Sequence, residues 1–209
     1  MRTIKEGLQQ LAHLGLRVFL KMRCGMRVHG VPRLDRPSIL VANHASHLDI
    51  AAIFAALPIG EVSKVRTAAA RDTIYALPKP IVKLVEFFFN TYPFERKGKS
   101  SDSLERGAKC LREGHHLAIF PEGRRSQDGS FLGFTPGFAK IAYETGAPVV
   151  PVRIVGAHRS LPRGSTYIQR MPMEVTFHEP VEADRTIPFE ERRIAYSKLV
   201  RQAEVALTA

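Results

Sequence analysis

Short apolar runs bounded by turn residues alternate along this chain with segments of helical period, and that alternation restricts its fold more than any other property. After the breaker-rich stretch 31–37, the run Ser38-Ile39-Leu40-Val41-Ala42 is too short for a helix and continuously apolar, the pattern of a strand buried on both faces. Residues 48–57 follow, apolar at Leu48, Ile50, Ile53, Phe54 and Leu57 and stopped by Pro58 and Gly60, which reads as a helix. The alternation continues with a strand at 65–70, a helix at 81–88 and a short strand at 89–94. A helix capped by Asp102, with Glu105 three residues on, ends at Gly114 and precedes a strand at 116–120. Thr135-Pro136 opens another helix, closed by Gly146; strands at 149–155 and 173–177 and a polar-faced helix at 187–207 follow. Strands separated by helices imply an α/β fold, a single layered domain with a mostly parallel sheet flanked by helices. The 209 residues hold no internal repeat and no linker, so one domain is expected.

Charge is unevenly placed. Lys and Arg number 31 against 20 Asp and Glu, and eight of the former with two of the latter fall in residues 1–36. There Ile4, Leu8, Leu11, Gly15, Phe19, Met22 and Met26 form one stripe on a helix of about 25 residues, while Arg17, Lys21, Arg23 and Arg27 crowd its second half. Residues 1–30 are thus expected to form an N-terminal basic amphipathic helix, part of the same domain. Two uses of the stripe stay open. It can lie in the headgroup plane of an anionic membrane, where each basic residue adds about 1 kcal/mol, or it can dock the helix on the core.

No uncharged apolar stretch is long enough to span a bilayer and no signal-peptide pattern opens the chain, so an intracellular protein is expected. Cys24 and Cys110 are too few for a disulfide framework, and no metal-knuckle spacing occurs. The positive balance points to phosphate-bearing partners. Nucleic acid is disfavoured, because basic and aromatic residues do not interleave and Trp is absent.

Two segments place reactive side chains just after a buried strand, where open α/β sheets bind ligands. In Asn43-His44-Ala45-Ser46-His47-Leu48-Asp49, a Ser46 cap puts Asp49 in the first helical turn, near the loop carrying His44. A carboxylate on one imidazole nitrogen fixes the tautomer and frees the other nitrogen to take a proton. The same spacing also describes a plain capping box with His44 as a turn residue. In Phe120-Pro121-Glu122-Gly123-Arg124-Arg125-Ser126, a glycine turn with adjacent guanidiniums suits a phosphate, or is a solvated basic turn with Glu122 paired locally.

Asn43-His44 with Asp49, then Phe94-Glu95-Arg96, then Phe120-Pro121-Glu122-Gly123 with Arg125-Ser126, then Val149-Val150-Pro151-Val152 stand in an order that resembles the glycerolipid acyltransferase family, most closely bacterial 1-acylglycerol-3-phosphate acyltransferases. The resemblance spans residues 43–152. It implies a membrane-contact helix over 1–30 and an acyltransferase domain over 31–209. The implied reaction moves a fatty acyl group from acyl-CoA or acyl carrier protein to the free hydroxyl of a lysophosphatidate-type acceptor. His44 would be the general base and Asp49 its orienting partner. Arg96, Glu122, Gly123 and Arg125 would form the acceptor's phosphoglycerol site. The alternatives are the same chemistry on another lysolipid or glycerol 3-phosphate, or a non-catalytic protein that binds anionic membranes. No metal and no cofactor beyond the thioester co-substrate are expected. The implied partners are a lysophospholipid, the thioester carrier and an anionic membrane surface, with peripheral or monotopic attachment at the cytoplasmic face of the inner membrane. The chain departs from the family in carrying Arg124 where Thr is usual and Glu95 where Asp is frequent. Only backbone amides near the His44 turn offer themselves to the tetrahedral oxyanion.

Overall fold

The computed structural model describes residues 2–95 and 100–208. Its centre is a seven-stranded sheet formed by β1 (Arg27–His29), β2 (Ile39–Ala42), β3 (Val65–Ala70), β4 (Thr91–Phe94), β5 (His116–Ile119), β6 (Val149–Val155) and β7 (Glu174–Phe177), in the order β1-β7-β6-β2-β5-β3-β4. All neighbouring pairs are parallel except β6 with β7, so the sheet is mostly parallel, as the alternation of elements requires. β2 lies centrally and all four of its residues are fully buried. Leu40 and Ala42 face one core, with α1 (Arg2–Cys24) and α2 (Leu48–Ala56). Ile39 and Val41 face the other, with α4 (Ser100–Arg112), α5 (Gly137–Thr145) and α7 (Arg192–Thr208). α3 (Lys79–Phe89) contacts α1 and α2, and a single turn, α6 (Ala157–Ser160), contacts α2.

Several boundaries move, each for a local reason. β1, three residues between Gly25 and Gly30, was too short to register as a periodic run and forms by pairing with β7. α6, four residues long, makes one turn and is too short to repeat a helical period. α3 starts at Lys79 and takes Phe89 into its last turn, ending at Asn90 in the left-handed region. α4 is already helical at Ser100, so Asp102 sits in its first turn and is not its cap. α7 begins only at Arg192, because Pro188 disfavours helical backbone at Ile187 and is followed by a 3-10 turn at Phe189–Glu191.

α1 settles the open question about its stripe in an unexpected way. Ile4, Leu11 and Met22 are 68, 67 and 79% exposed, and Leu8 and Phe19 are exposed too, so over α1 the stripe faces away from the core; the helix expected over 1–30 ends at Cys24, and Met26, the last stripe position, lies beyond it and is buried. The opposite face docks, and its buried members are Gln9, His13, Leu20 and Cys24. Gln9 Nε2 donates to Phe87 O (2.5 Å) and Asn90 Oδ1 (2.9 Å), and His13 Nε2 bonds Phe88 O (2.7 Å) while its ring stacks on Phe54. Arg17 donates from Nε to Ala55 O (2.6 Å) and from a terminal nitrogen to Leu57 O. The last carbonyls of a helix have no partner within it and carry its negative dipole end. The polar face of α1 supplies those partners to α2 and α3 together. Arg17 and Arg23 are therefore committed to the fold, Arg23 to Ile168 O (3.1 Å) and the Tyr167 hydroxyl, rather than free for lipid. Among the described residues no helix is long and apolar enough to cross a membrane.

Candidate active site

The carboxyl ends of β2, β5 and β6 lie side by side, and the chain leaves β2 and β5 towards opposite faces of the sheet through α2 and α5. A crevice opens at such a divergence. The segment 43–47 enters it from β2. His44 Nδ1 lies 2.8 Å from Asp49 Oδ2, and the same oxygen accepts the backbone N–H of Ala45 (2.7 Å) and of Ser46 (2.7 Å). One oxygen does both jobs: Asp49, fully buried in the first turn of α2, takes the two backbone N–H groups that precede the helix and orients the imidazole through Oδ2. Ser46 is not the cap residue itself; α2 starts at Leu48, and the Ser46 hydroxyl accepts the Leu48 N–H (3.2 Å) and donates to Leu161 O (2.8 Å). An ionised carboxylate only accepts, so the proton of the neutral ring sits on Nδ1 and the lone pair is on Nε2.

The turn is held from both neighbouring strands. On the β6 side, the Asn43 amide donates to Ile154 O (2.8 Å) and accepts Ile154 N–H (2.8 Å), continuing the ladder by one side chain. On the β5 side, Glu122 Oε1 accepts the His44 N–H (2.7 Å), and Ser126 N–H donates to His44 O (2.9 Å). The His44 ring lies on Phe120, with centroids 4.2 Å apart and planes 21° from parallel. Glu122 is buried, and its second oxygen accepts Leu132 N–H (3.0 Å). Burial raises its carboxyl above the ordinary value, against the lowering effect of those two amides. Both oxygens are engaged by backbone, so Glu122 acts on the site by clamping the His44 turn. Gly123 has φ +70° with open space around its Cβ position, so it is there for the left-handed turn and not for close packing.

Arg125 is half-buried near His47; burial first, and then Arg125 and His44, hold that histidine below its ordinary range. Arg96 lies outside the described residues. Its neighbour Glu95 pairs with Arg71 (2.9 Å) and takes the Ser103 hydroxyl at its backbone N–H (2.8 Å), which ties the ends of β3 and β4 to α4. Sequence reasoning gave no role to Asn43 or Phe120, since each acts through a partner far along the chain, and counted the Ser126 hydroxyl in a phosphate cradle, whereas Ser126 is buried and bonds within its own loop to Asp128. Among the described residues, no three His, Cys, Asp or Glu side chains converge as a metal cage.

The sequence profile of the Acyltransferase family matches residues 25–155. The chain is 31% identical over 157 residues to the chloroplastic 1-acyl-sn-glycerol-3-phosphate acyltransferase BAT2 of Brassica napus, covering 74% of this chain and 43% of that one. It is 30% identical over 131 residues to the probable 1-acyl-sn-glycerol-3-phosphate acyltransferase of Mycoplasma genitalium, covering 58% and 45%. The solved structure of the 1-acyl-sn-glycerophosphate acyltransferase PlsC from Thermotoga maritima superimposes with a TM-score of 0.69 at 26% identity, over 95% of this chain and 81% of that chain. The chain spans about half the length of the curated relatives it matches.

Proposed function

The chain belongs to the acyltransferase family, and from that premise we propose that it moves a fatty acyl group from a thioester of coenzyme A or acyl carrier protein to the free hydroxyl of a lysophosphatidate-type acceptor. One observation carries the reading: an imidazole seated on Phe120, its Nδ1 fixed at 2.8 Å by the buried Asp49, and its Nε2 without a hydrogen bond among the described residues, at the sheet edge where ligands bind. An alcohol is a weak nucleophile at neutral pH, and a positioned base contributes about 10²- to 10⁴-fold. His44 Nε2 takes the hydroxyl proton as the alkoxide oxygen attacks the thioester carbonyl carbon. Collapse of the tetrahedral intermediate breaks the C–S bond, and the leaving thiolate takes the proton from the imidazolium. Asp49 stabilises that imidazolium and needs no proton of its own. No covalent enzyme intermediate is required.

Arg125, with Arg96, is proposed to hold the acceptor's phosphate by charge-assisted hydrogen bonds, while Glu122 and Gly123 shape the turn that carries Arg125. The outward stripe of α1, with exposed Lys21 and Arg27 beside it, is proposed to rest on an anionic membrane from which the acceptor is drawn. Peripheral attachment at the cytoplasmic face of the inner membrane is the localisation proposed with it.

The test is thioester release by purified protein with both carriers and a panel of lysophosphatidate, other lysophospholipids and glycerol 3-phosphate. Release dependent on lysophosphatidate, with phosphatidate as product, is expected. Release that no hydroxyl acceptor stimulates overturns the reading, and preference for another acceptor overturns its acceptor part.

A further inference from the structure

A cavity of about 470 Å³ opens beside the His44 turn on the β6 flank of the crevice, within the size range of small-molecule sites. Asp49 forms part of its wall, as do Asp128 and Phe131 from the loop after β5, Arg153 from β6 and Arg159 from α6. Two features ask for a ligand of particular chemistry. Arg153 and Arg159 make no hydrogen bond or ion pair among the described residues, although Arg153 acts electrostatically on the neighbouring His178. The carboxylate sharing their wall, Asp128, is taken up by its own loop, accepting from the Ser126 hydroxyl (2.9 Å), Ser130 N–H (2.9 Å) and the Ser130 hydroxyl (2.6 Å). Two guanidiniums with open donors match phosphate oxygens. Closer to the dyad, Asp49 Oδ1 is buried and has no hydrogen-bond partner among the described residues, so a ligand entering here gains by bringing an N–H or O–H donor.

Resting on the acyltransferase reading, we propose that this cavity receives the phosphopantetheine arm of the thioester donor, with its phosphate on Arg153 and Arg159 and an amide N–H along the arm at Asp49 Oδ1. An arm with an anion at one end, amide donors along its length and a thioester at the other satisfies both features. A lysophosphatidate headgroup bears only one phosphate close to its glycerol, and Arg125 on the β5 flank is already there to meet it. The two substrates then approach His44 from opposite flanks of the turn. The arm is common to coenzyme A and acyl carrier protein, so both donors use the same arginines.

The experiment compares wild-type protein with Arg153→Gln, Arg159→Gln and the double variant, each checked for unchanged thermal unfolding. Titration calorimetry with 4′-phosphopantetheine is expected to show about tenfold or greater weakening in the double variant, the loss of charge-assisted bonds to phosphate, while unphosphorylated pantetheine binds all variants alike. In turnover, the donor KM is expected to rise about tenfold or more with acyl-CoA and with acyl carrier protein, and the lysophosphatidate KM to stay unchanged. A rise confined to lysophosphatidate puts the acceptor in the cavity and overturns the proposal. A rise confined to acyl-CoA shows the arginines reading its nucleotide and equally overturns it, as does no change at all. Exposed Arg159→Glu provides the charge-reversed check if Arg153→Gln unfolds. Wild-type turnover with arginine-independent donor KM would uphold the acyltransferase reading alone; arginine-dependent phosphopantetheine binding without any turnover would uphold the cavity assignment alone.

Discussion

The His44–Asp49 turn and helix α1 both bury polar side chains, yet they do so over different distances in the chain. In the turn, one Asp49 oxygen satisfies three donors within five residues, and only the outer clamps, Asn43 to Ile154 and Glu122 to His44, come from elsewhere. In α1, Gln9, His13 and Arg17 reach carbonyls 38 to 78 residues away. The turn's chemistry therefore follows from local spacing, while the use of α1's polar face depends on where the carboxyl ends of α2 and α3 arrive. An apolar stripe ordinarily turns inward; here the stronger demand is that of two buried helix ends, and the stripe is left outside.

The sharpest break of this comparison is His44→Ala. Turnover is expected to fall about 10²- to 10⁴-fold with thermal unfolding little changed, because the ring lines the crevice on Phe120 and belongs to neither core. Retention of more than about a tenth of wild-type turnover would remove the dyad from the mechanism. Next in size, Arg17→Met should cost about 2 to 4 kcal/mol in urea unfolding, since it leaves Ala55 O and Leu57 O without donors, and should leave the KM values alone. A loss below about 0.5 kcal/mol would mean that α1 is held by apolar contact after all. A smaller effect concerns pH. Burial holds His13, His47 and His116 below their ordinary value, so the folded chain binds protons there less well than the unfolded one. Stability should be level above about pH 6.5 and decline below it, which urea midpoints across that range would check; His13→Gln, which keeps a donor for Phe88 O, should flatten the decline. Smallest for the fold is Leu8→Gln/Leu11→Gln/Met22→Gln, expected to change stability by less than about 0.5 kcal/mol while weakening binding to anionic vesicles. Unaltered vesicle binding at low salt would assign the membrane face to another surface.

Much of the layered architecture was legible because a strand buried on both faces must read as an unbroken apolar run, as Ile39 to Ala42 does, and because glycine and proline mark the ends of the intervening helices. β1 and α6 were not legible, being too short to repeat the pattern that would announce them. At the candidate site, the spacing of His44 and Asp49 admitted a dyad, and the family resemblance singled out His44, Asp49, Glu122 and Gly123; the fold brings all four into one turn region. What these last two do was not readable. Glu122, assigned to the acceptor's site by the resemblance, has its two oxygens on His44 N–H and Leu132 N–H, partners that no local pattern announces.

The sequence by itself determined the α/β class, through its alternation of short apolar runs with helical periods, and carried the resemblance to the acyltransferase family in four ordered motifs; the spacing of His44 and Asp49 fitted both a capping box and a dyad, and only the fold sets the two side chains 2.8 Å apart. Tertiary structure alone decided that α1 faces its stripe outward, that Arg17 and Arg23 belong to the fold, that Glu122 and Asn43 clamp the His44 turn from β5 and β6, and that Arg153 and Arg159 line one cavity beside it. The first three share one physical reason. A buried polar group is satisfied by whichever partner the packed chain brings within about 3 Å, and the chain position of that partner leaves no periodic mark in the sequence.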